Sequence, residues 1–208
     1  MSTKYPIKLE VDYPKQTLNR LTTFFRIFVA IPILIVLCSI SATTAQGNDT
    51  YNSGIIFVGG GLLFIAPLLM ILFRQKYPRW WFDWNLELVR FSHRVCIYLM
   101  LLTDRYPSTD DQQSVHLDIT YPNVQKDLNR WLPLVKWFLA IPHYFIIFFL
   151  DIAAIFVTII AWFAILFTGN YPKSMFDFVV GVIRWNLRVT GYAFLLVTDT
   201  YPPFSLGN

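Results

Sequence analysis

Two short stretches of the chain alternate strictly. Ile7, Leu9 and Val11 interleave with Lys8, Glu10 and Asp12, and Val115, Leu117 and Ile119 interleave with His116, Asp118 and Thr120. A period of two predicts strands with one buried face. Each is too short to be stable alone, so 6–12 and 115–120 are expected to pair with each other or to join a small sheet. A Tyr-Pro pair and a short basic lead-in follow each strand, and then the pattern becomes apolar over long runs.

The first half has two such runs, 22–40 and 54–73, separated by the polar loop SISATTAQGNDTYNSG (39–54). The second run, GIIFVGGGLLFIAPLLMILF, carries no charge and is long enough to cross a hydrocarbon core. The second half has one run from Trp137 to Phe167, broken only by Asp151. That length suits a tight helical hairpin turning near Asp151, its first helix beginning near Trp131; a single steeply tilted helix is the alternative. All 17 Lys and Arg lie outside 27–73 and 137–172. Two hairpins put every basic residue on one side, as expected for cytoplasm; a single second crossing would leave Lys173, Arg184 and Arg188 outside. The predicted fold is therefore a mainly α membrane protein. It has four transmembrane helices in two hairpins, short β-strands, and both termini cytoplasmic.

A mixed segment follows each apolar region: WWFDWNLELVRFSHRVCIYLMLL (80–102) and MFDFVVGVIRWNLRVTGYAFLL (175–196). Asp83, Glu87, Arg90 and Arg94 recur at helical spacing on one face, as do Asp177, Gly181, Arg184 and Arg188. These predict two amphipathic helices in the headgroup plane, with Arg90, Arg94, Arg184, Arg188, Asp83, Glu87 and Asp177 as interface or lipid-binding residues. An internal ion-pair stripe holding each helix to its own hairpin is compatible with that role.

The phrases recur. LNRLTTFFRIFVAIP (18–32) answers LNRWLPLVKWFLAIP (128–142), VDYP (11–14) answers ITYP (119–122), FRQKYPRWWFD (73–83) answers FTGNYPKSMFD (167–177), and LLTDRYP (101–107) answers LLVTDTYP (195–202). The chain reads as two copies, 1–109 and 110–208, the first carrying the 16-residue loop as surplus. A period of about 100 residues indicates domain duplication, not a solenoid. Arg26 and Lys136 are expected to snorkel where each first span enters the membrane, and Pro32 and Pro142 to kink those spans.

Composition agrees with a membrane setting: 55% of residues are hydrophobic, 14% charged and 18% aromatic. A net charge of +4, scattered among apolar residues, does not suggest a nucleic-acid partner. Cys38 and Cys96 show no metal spacing and read as free thiols, and the polar N-terminus MSTKYPIKLEVDYPK shows no cleavable signal. The sequence contains no glycine-rich phosphate loop, HExxH or GxSxG, so no catalytic residue, metal site or cofactor is assigned. His143 lies in an apolar helix without a second ligand at i+3 or i+4, which favours a packed, hydrogen-bonded histidine over a haem or metal ligand. Asp151 is expected at the outer turn of the hairpin. Gly59, Gly60 and Gly61 suit close helix packing, and Asn48-Asp49-Thr50 fits a glycosylation pattern.

The stretch FAILFTGNYPKSMFDFVVGVIRWNLRVTGYAFLLVTDTYPPFSL, with AIPH before it, resembles domain of unknown function family 4389, a family of small prokaryotic membrane proteins. The resemblance is strong over 119–206 and weaker over 11–107, where the polar loop is inserted and Phe-Arg-Gln-Lys stands for Phe-Thr-Gly-Asn. It implies a membrane location, a bacterial or archaeal source and no catalytic residues. The expected function is a non-enzymatic accessory or scaffold subunit of the inner or plasma membrane, in contact with lipids, that docks partner membrane proteins or self-associates. A lipid-interacting or small-solute permeation protein is the alternative.

Overall fold

The computed structural model describes residues 5–42, 66–109, 111 and 113–207. Residues 39–42 of the expected polar loop are helical instead; the expectations for its remainder, including Asn48, for Gly59 to Gly61 and for most of the second apolar run fall on 43–65, outside the described residues.

The alternating stretches form strands β1 (Ile7–Val11) and β2 (Val115–Ile119), paired antiparallel in a two-stranded ribbon. Leu9 faces Leu117 at the centre of the ladder, Ile7 faces Ile119 and Val11 faces Val115. The apolar residues point inward and Lys8, Glu10, His116 and Asp118 outward, as the two-residue period requires.

Among the described residues, five helices carry most of the rest: α1 (Arg20–Phe24), α2 (Arg26–Ala42), α3 (Arg79–Leu99), α4 (Ile141–Thr168) and α5 (Lys173–Ala193). Short turns at Met70–Arg74, Val124–Asp127, Leu132–Leu134 and Lys136–Leu139 connect them. The packing is layered. β1 lies on α5 and β2 on α3, while α4 lies against α5 and α2 against α3. The largest core cluster joins the inward ribbon residues to α5 and to Ala154, Ala161 and Ile165 of α4.

Several expectations are corrected. Residues 141–168 form one uninterrupted helix, so the second hairpin does not exist and four spans are not supported. Asp151 needs no turn, because its carboxylate accepts a hydrogen bond from Asn186 Nδ2 of α5 at 2.7 Å. The helix begins at Ile141 rather than near Trp131. Pro133 heads a 3-10 turn, and Pro142 sits in the first turn of α4, where a missing N–H costs nothing and no kink results. Pro32 does stand inside α2. The mixed segments form α3 and α5, a middle layer between the ribbon and the apolar helices α2 and α4, and thirteen residues of α5 are buried.

Gly191 shows how close that middle layer is to the ribbon. A β-carbon there would stand 2.0 Å from Ile7 Cδ1. Gly191→Ala is expected to cost about 1–3 kcal/mol by overpacking, and Ile7→Val, which removes the clashing methyl, to recover part of that loss. Thermal unfolding of the two single variants and the double variant checks it. A double variant no more stable than Gly191→Ala would show that the glycine serves something other than this contact.

Candidate functional site

Two ion pairs with buried cations organise the structure. Asn19 caps α1, its Oδ1 accepting from Leu21 N at 2.9 Å. Seven residues on, Arg26 is 3% exposed; it donates to the Thr103 carbonyl at 2.7 Å and pairs with Asp104 at 2.5 Å, over the Tyr98 ring. Asp104 also accepts from Asn19 N at 2.6 Å. The second cluster repeats this part for part. Asn129 Oδ1 accepts from Trp131 N at 3.0 Å, and Asp199 accepts from Asn129 N. Lys136, with no exposed surface, donates to the Thr198 carbonyl at 2.7 Å and pairs with Asp199 at 2.7 Å, near the Tyr192 ring. Burial pushes the Lys136 ammonium below its ordinary range, and the Asp199 carboxylate pushes back. Arg26 and Lys136 therefore do not snorkel; each is consumed in a buried ion pair.

The backbone presents these acceptors through an uncommon turn. Leu101 (φ 64°) and Leu196 (φ 56°) are left-handed, just beyond the ends of α3 and α5. The turns direct the Thr103 and Thr198 carbonyls to Arg26 and Lys136.

The arginines of both stripes bond chiefly to backbone carbonyls. Arg90 Nε donates to the Leu117 carbonyl at 3.0 Å, and Arg184 Nε to the Leu9 carbonyl at 3.1 Å, so each holds the middle of one strand. Arg90 also meets Glu87 at 2.6 Å and Asp118 at 3.4 Å. Arg184 Nη1 reaches the Leu206 carbonyl at 2.9 Å. Arg94 and Arg188 are buried at 7% and 3% exposure. Arg94 donates to the Ser108 and Thr109 carbonyls at 2.9 and 3.1 Å; Arg188 donates to those of Ser205, at 3.2 Å, and Gly207. These guanidinium groups hold the two strands and the segments at 108–109 and 205–207. Asp83 is exposed and 3.9 Å from Arg79, not from Arg90. Asp177 is exposed on α5, and the acceptors of Arg184 and Arg188 are backbone carbonyls instead. Gly181 makes room for the C-terminal segment: a β-carbon there would stand 2.9 Å from Leu206 Cβ.

His143 is fully buried at the start of α4. Trp185 Nε1 donates to its Nδ1 at 3.1 Å, and Phe204 stacks on the ring at 4.0 Å between centroids. It is a packed histidine in an aromatic cluster. Among the described residues, no group of three or more His, Cys, Asp or Glu could hold a metal ion. Cys38 and Cys96 are free thiols.

The exposed surface is sharply divided. Large apolar side chains of α1 and α2 (Phe24, Ile27, Phe28, Ile31, Ile35) and of α4 (Phe145, Phe148, Phe156, Phe163, Phe167) are 47–79% exposed. Trp162 of α4 links the two sets, stacking on Phe24 at 6.0 Å and donating to the Thr23 carbonyl at 3.2 Å. Beside this link is a pocket of about 340 Å³ with apolar walls, into whose lining Thr23 and Arg26 also enter.

These features define a mostly helical protein with a two-stranded ribbon and, among the described residues, one helix (Ile141–Thr168) long and apolar enough to cross a membrane. The sequence model of one family, described as domain of unknown function (DUF4389), matches residues 131–205, a single copy. No curated protein and no solved structure matches the chain.

Proposed function

We propose that the protein is a non-enzymatic membrane module, an accessory or scaffold subunit that docks other membrane proteins or self-associates. The carrying observation is the division of its surface. The apolar side chains of α1, α2 and α4 are left exposed while charged residues gather on the ribbon. Contiguous apolar exposure of this size marks a membrane or protein contact. We also propose that the module is two tandem copies of one unit, 1–109 and 110–208, with the family match inside the second. Supporting this, the ladder is centred on Leu9 and Leu117, and the bonds of Arg26, Arg90 and Tyr13 have counterparts at Lys136, Arg184 and Tyr121. The basic residues near the ribbon favour a cytoplasmic location for that side and for both termini.

Purification in mild detergent followed by native mass spectrometry tests the docking reading. A higher-order assembly or a stoichiometric membrane-protein companion is expected. A strict monomer with nothing bound except lipid would instead favour the second reading, a lipid-interacting protein, which the pocket beside Trp162 supports.

A further inference from the structure

We infer that α4 lies parallel to the bilayer plane, within one leaflet, and does not cross the membrane. This rests on the membrane reading above and specifies its geometry. By length alone α4 could cross: 28 residues extend about 42 Å, against a hydrocarbon core of about 30 Å. What stands beside its middle excludes that orientation.

Helices α4 and α5 form an antiparallel hairpin. Tyr144 packs on Phe194 near one end, Asp151 meets Asn186 along the length, and Gly169 turns the chain at the other end. Strand β1 then runs along α5. Tyr13 packs on Phe176 at 5.0 Å, Arg184 holds the Leu9 carbonyl, and Tyr5 reaches the Arg188 carbonyl at 3.5 Å. The strand is thus level with the central part of α5, and so with the central part of α4. Its outward residues Lys8 and Glu10, and His116 and Asp118 beside them, are exposed. Were α4 to cross the bilayer, these charges would stand at mid-depth and face hydrocarbon, where ionisable groups are tolerated only toward a protein interior or a water-filled cavity.

Laying α4 in the plane removes the conflict. Phe145, Phe149, Ile152, Phe156, Ile159 and Phe163 recur at alternating steps of four and three, one stripe along the outer side of the helix. The buried residues Ile147, Ala154, Ala161 and Ile165 occupy the side toward the protein. The stripe can sink among acyl chains along its whole length while the ribbon stays in water. Basic residues also stand near both ends of α4, Arg130 before it and Lys173 after it. In the plane, both reach the headgroups of the same leaflet; in a crossing they would sit on opposite faces. Exposed Trp131 and Trp137, just before α4, suit the headgroup level.

The test uses the full chain with Cys38 and Cys96 replaced by serine, reconstituted into phosphatidylcholine–phosphatidylglycerol vesicles. Nitroxide labels at Phe145→Cys, Phe156→Cys and Phe163→Cys report immersion depth through their oxygen and nickel accessibility. An impermeant thiol reagent probes Trp131→Cys, Lys173→Cys and Glu10→Cys. The expected result is equal depth at the three labels, with all three probed cysteines reacting from the same side. A deep Phe156→Cys with a shallower Phe145→Cys, and Trp131→Cys and Lys173→Cys reacting from opposite sides, would overturn the in-plane geometry and leave the membrane reading standing. Failure of the protein to partition into vesicles at all would overturn both. Labels shielded from oxygen and nickel alike would show the stripe covered by protein, a second copy or a partner, and would also overturn the proposal.

Discussion

Lys136→Met is expected to destabilise the protein by about 3 kcal/mol or more, the cost of breaking a buried ion pair by removing one partner. Lys136 has no exposed surface, and its ammonium serves both Asp199 and the Thr198 carbonyl at 2.7 Å. Removing it leaves a carboxylate at 20% exposure with the Asn129 N–H as its remaining donor, and leaves the Thr198 carbonyl without its own. Two further variants separate the causes. Asp199→Asn combined with Lys136→Met is expected to cost less than the sum of the single changes, because it leaves no orphaned charge. Lys136→Arg is expected to cost well below Lys136→Met, since Arg26 makes the same bonds in the first cluster. Equilibrium unfolding in detergent measures all of these. A Lys136→Met protein within about 1 kcal/mol of the native chain, inside the range of exposed pairs, would show that the pair contributes little.

The double variants Arg90→Ala with Arg94→Ala and Arg184→Ala with Arg188→Ala are expected to lose comparable stability, about 3 kcal/mol or more each. Every one of these arginines donates to backbone carbonyls, and hydrogen bonds from charged groups contribute about 1.5–3 kcal/mol apiece. The first pair releases β2 and residues 108–109; the second releases β1 and residues 205–207. Limited proteolysis should follow the same division, with new cleavage near 108 in one variant and near 205 in the other. Co-purified anionic lipid should be unchanged in both. Lipid lost only from the second variant would return Arg184 and Arg188 to a headgroup role.

What could be read from the sequence depended on whether the pattern was local. The ribbon was legible because a two-residue period within five residues announces a half-buried strand, and its partner had the same pattern. The long apolar helix was legible as an apolar run, but its continuity was not. Asp151 looked like a turn because an isolated carboxylate in a helix of that kind requires a donor, and Asn186 lies 35 residues further on. The helical spacing of the arginines was legible, and so was Glu87 as a partner of Arg90, but their backbone acceptors were not: periodicity states which residues share a face, but not what that face meets. The buried cation clusters left a faint signal. LNR, the later Arg26 or Lys136, and the Thr-Asp of LLTDRYP or LLVTDTYP return together, and residues that return together in two places are candidates for one bonded set.

The seating of β1 on α5 also orders events in time. Leu9 is held by Arg184, 175 residues later in the chain, and Tyr13 is held by the carbonyl of Tyr171, 158 residues later. At a synthesis rate of about 5–20 residues per second, the first strand waits roughly 9–35 s for the helix that covers it. During that interval Ile7 and Leu9 lack their final partners, and the ribbon cannot close until β2 follows as well. Docking of the earliest strand is thus a late step of biogenesis, and a ribosome-bound chain stopped before Arg184 should keep its N-terminal strand open to protease.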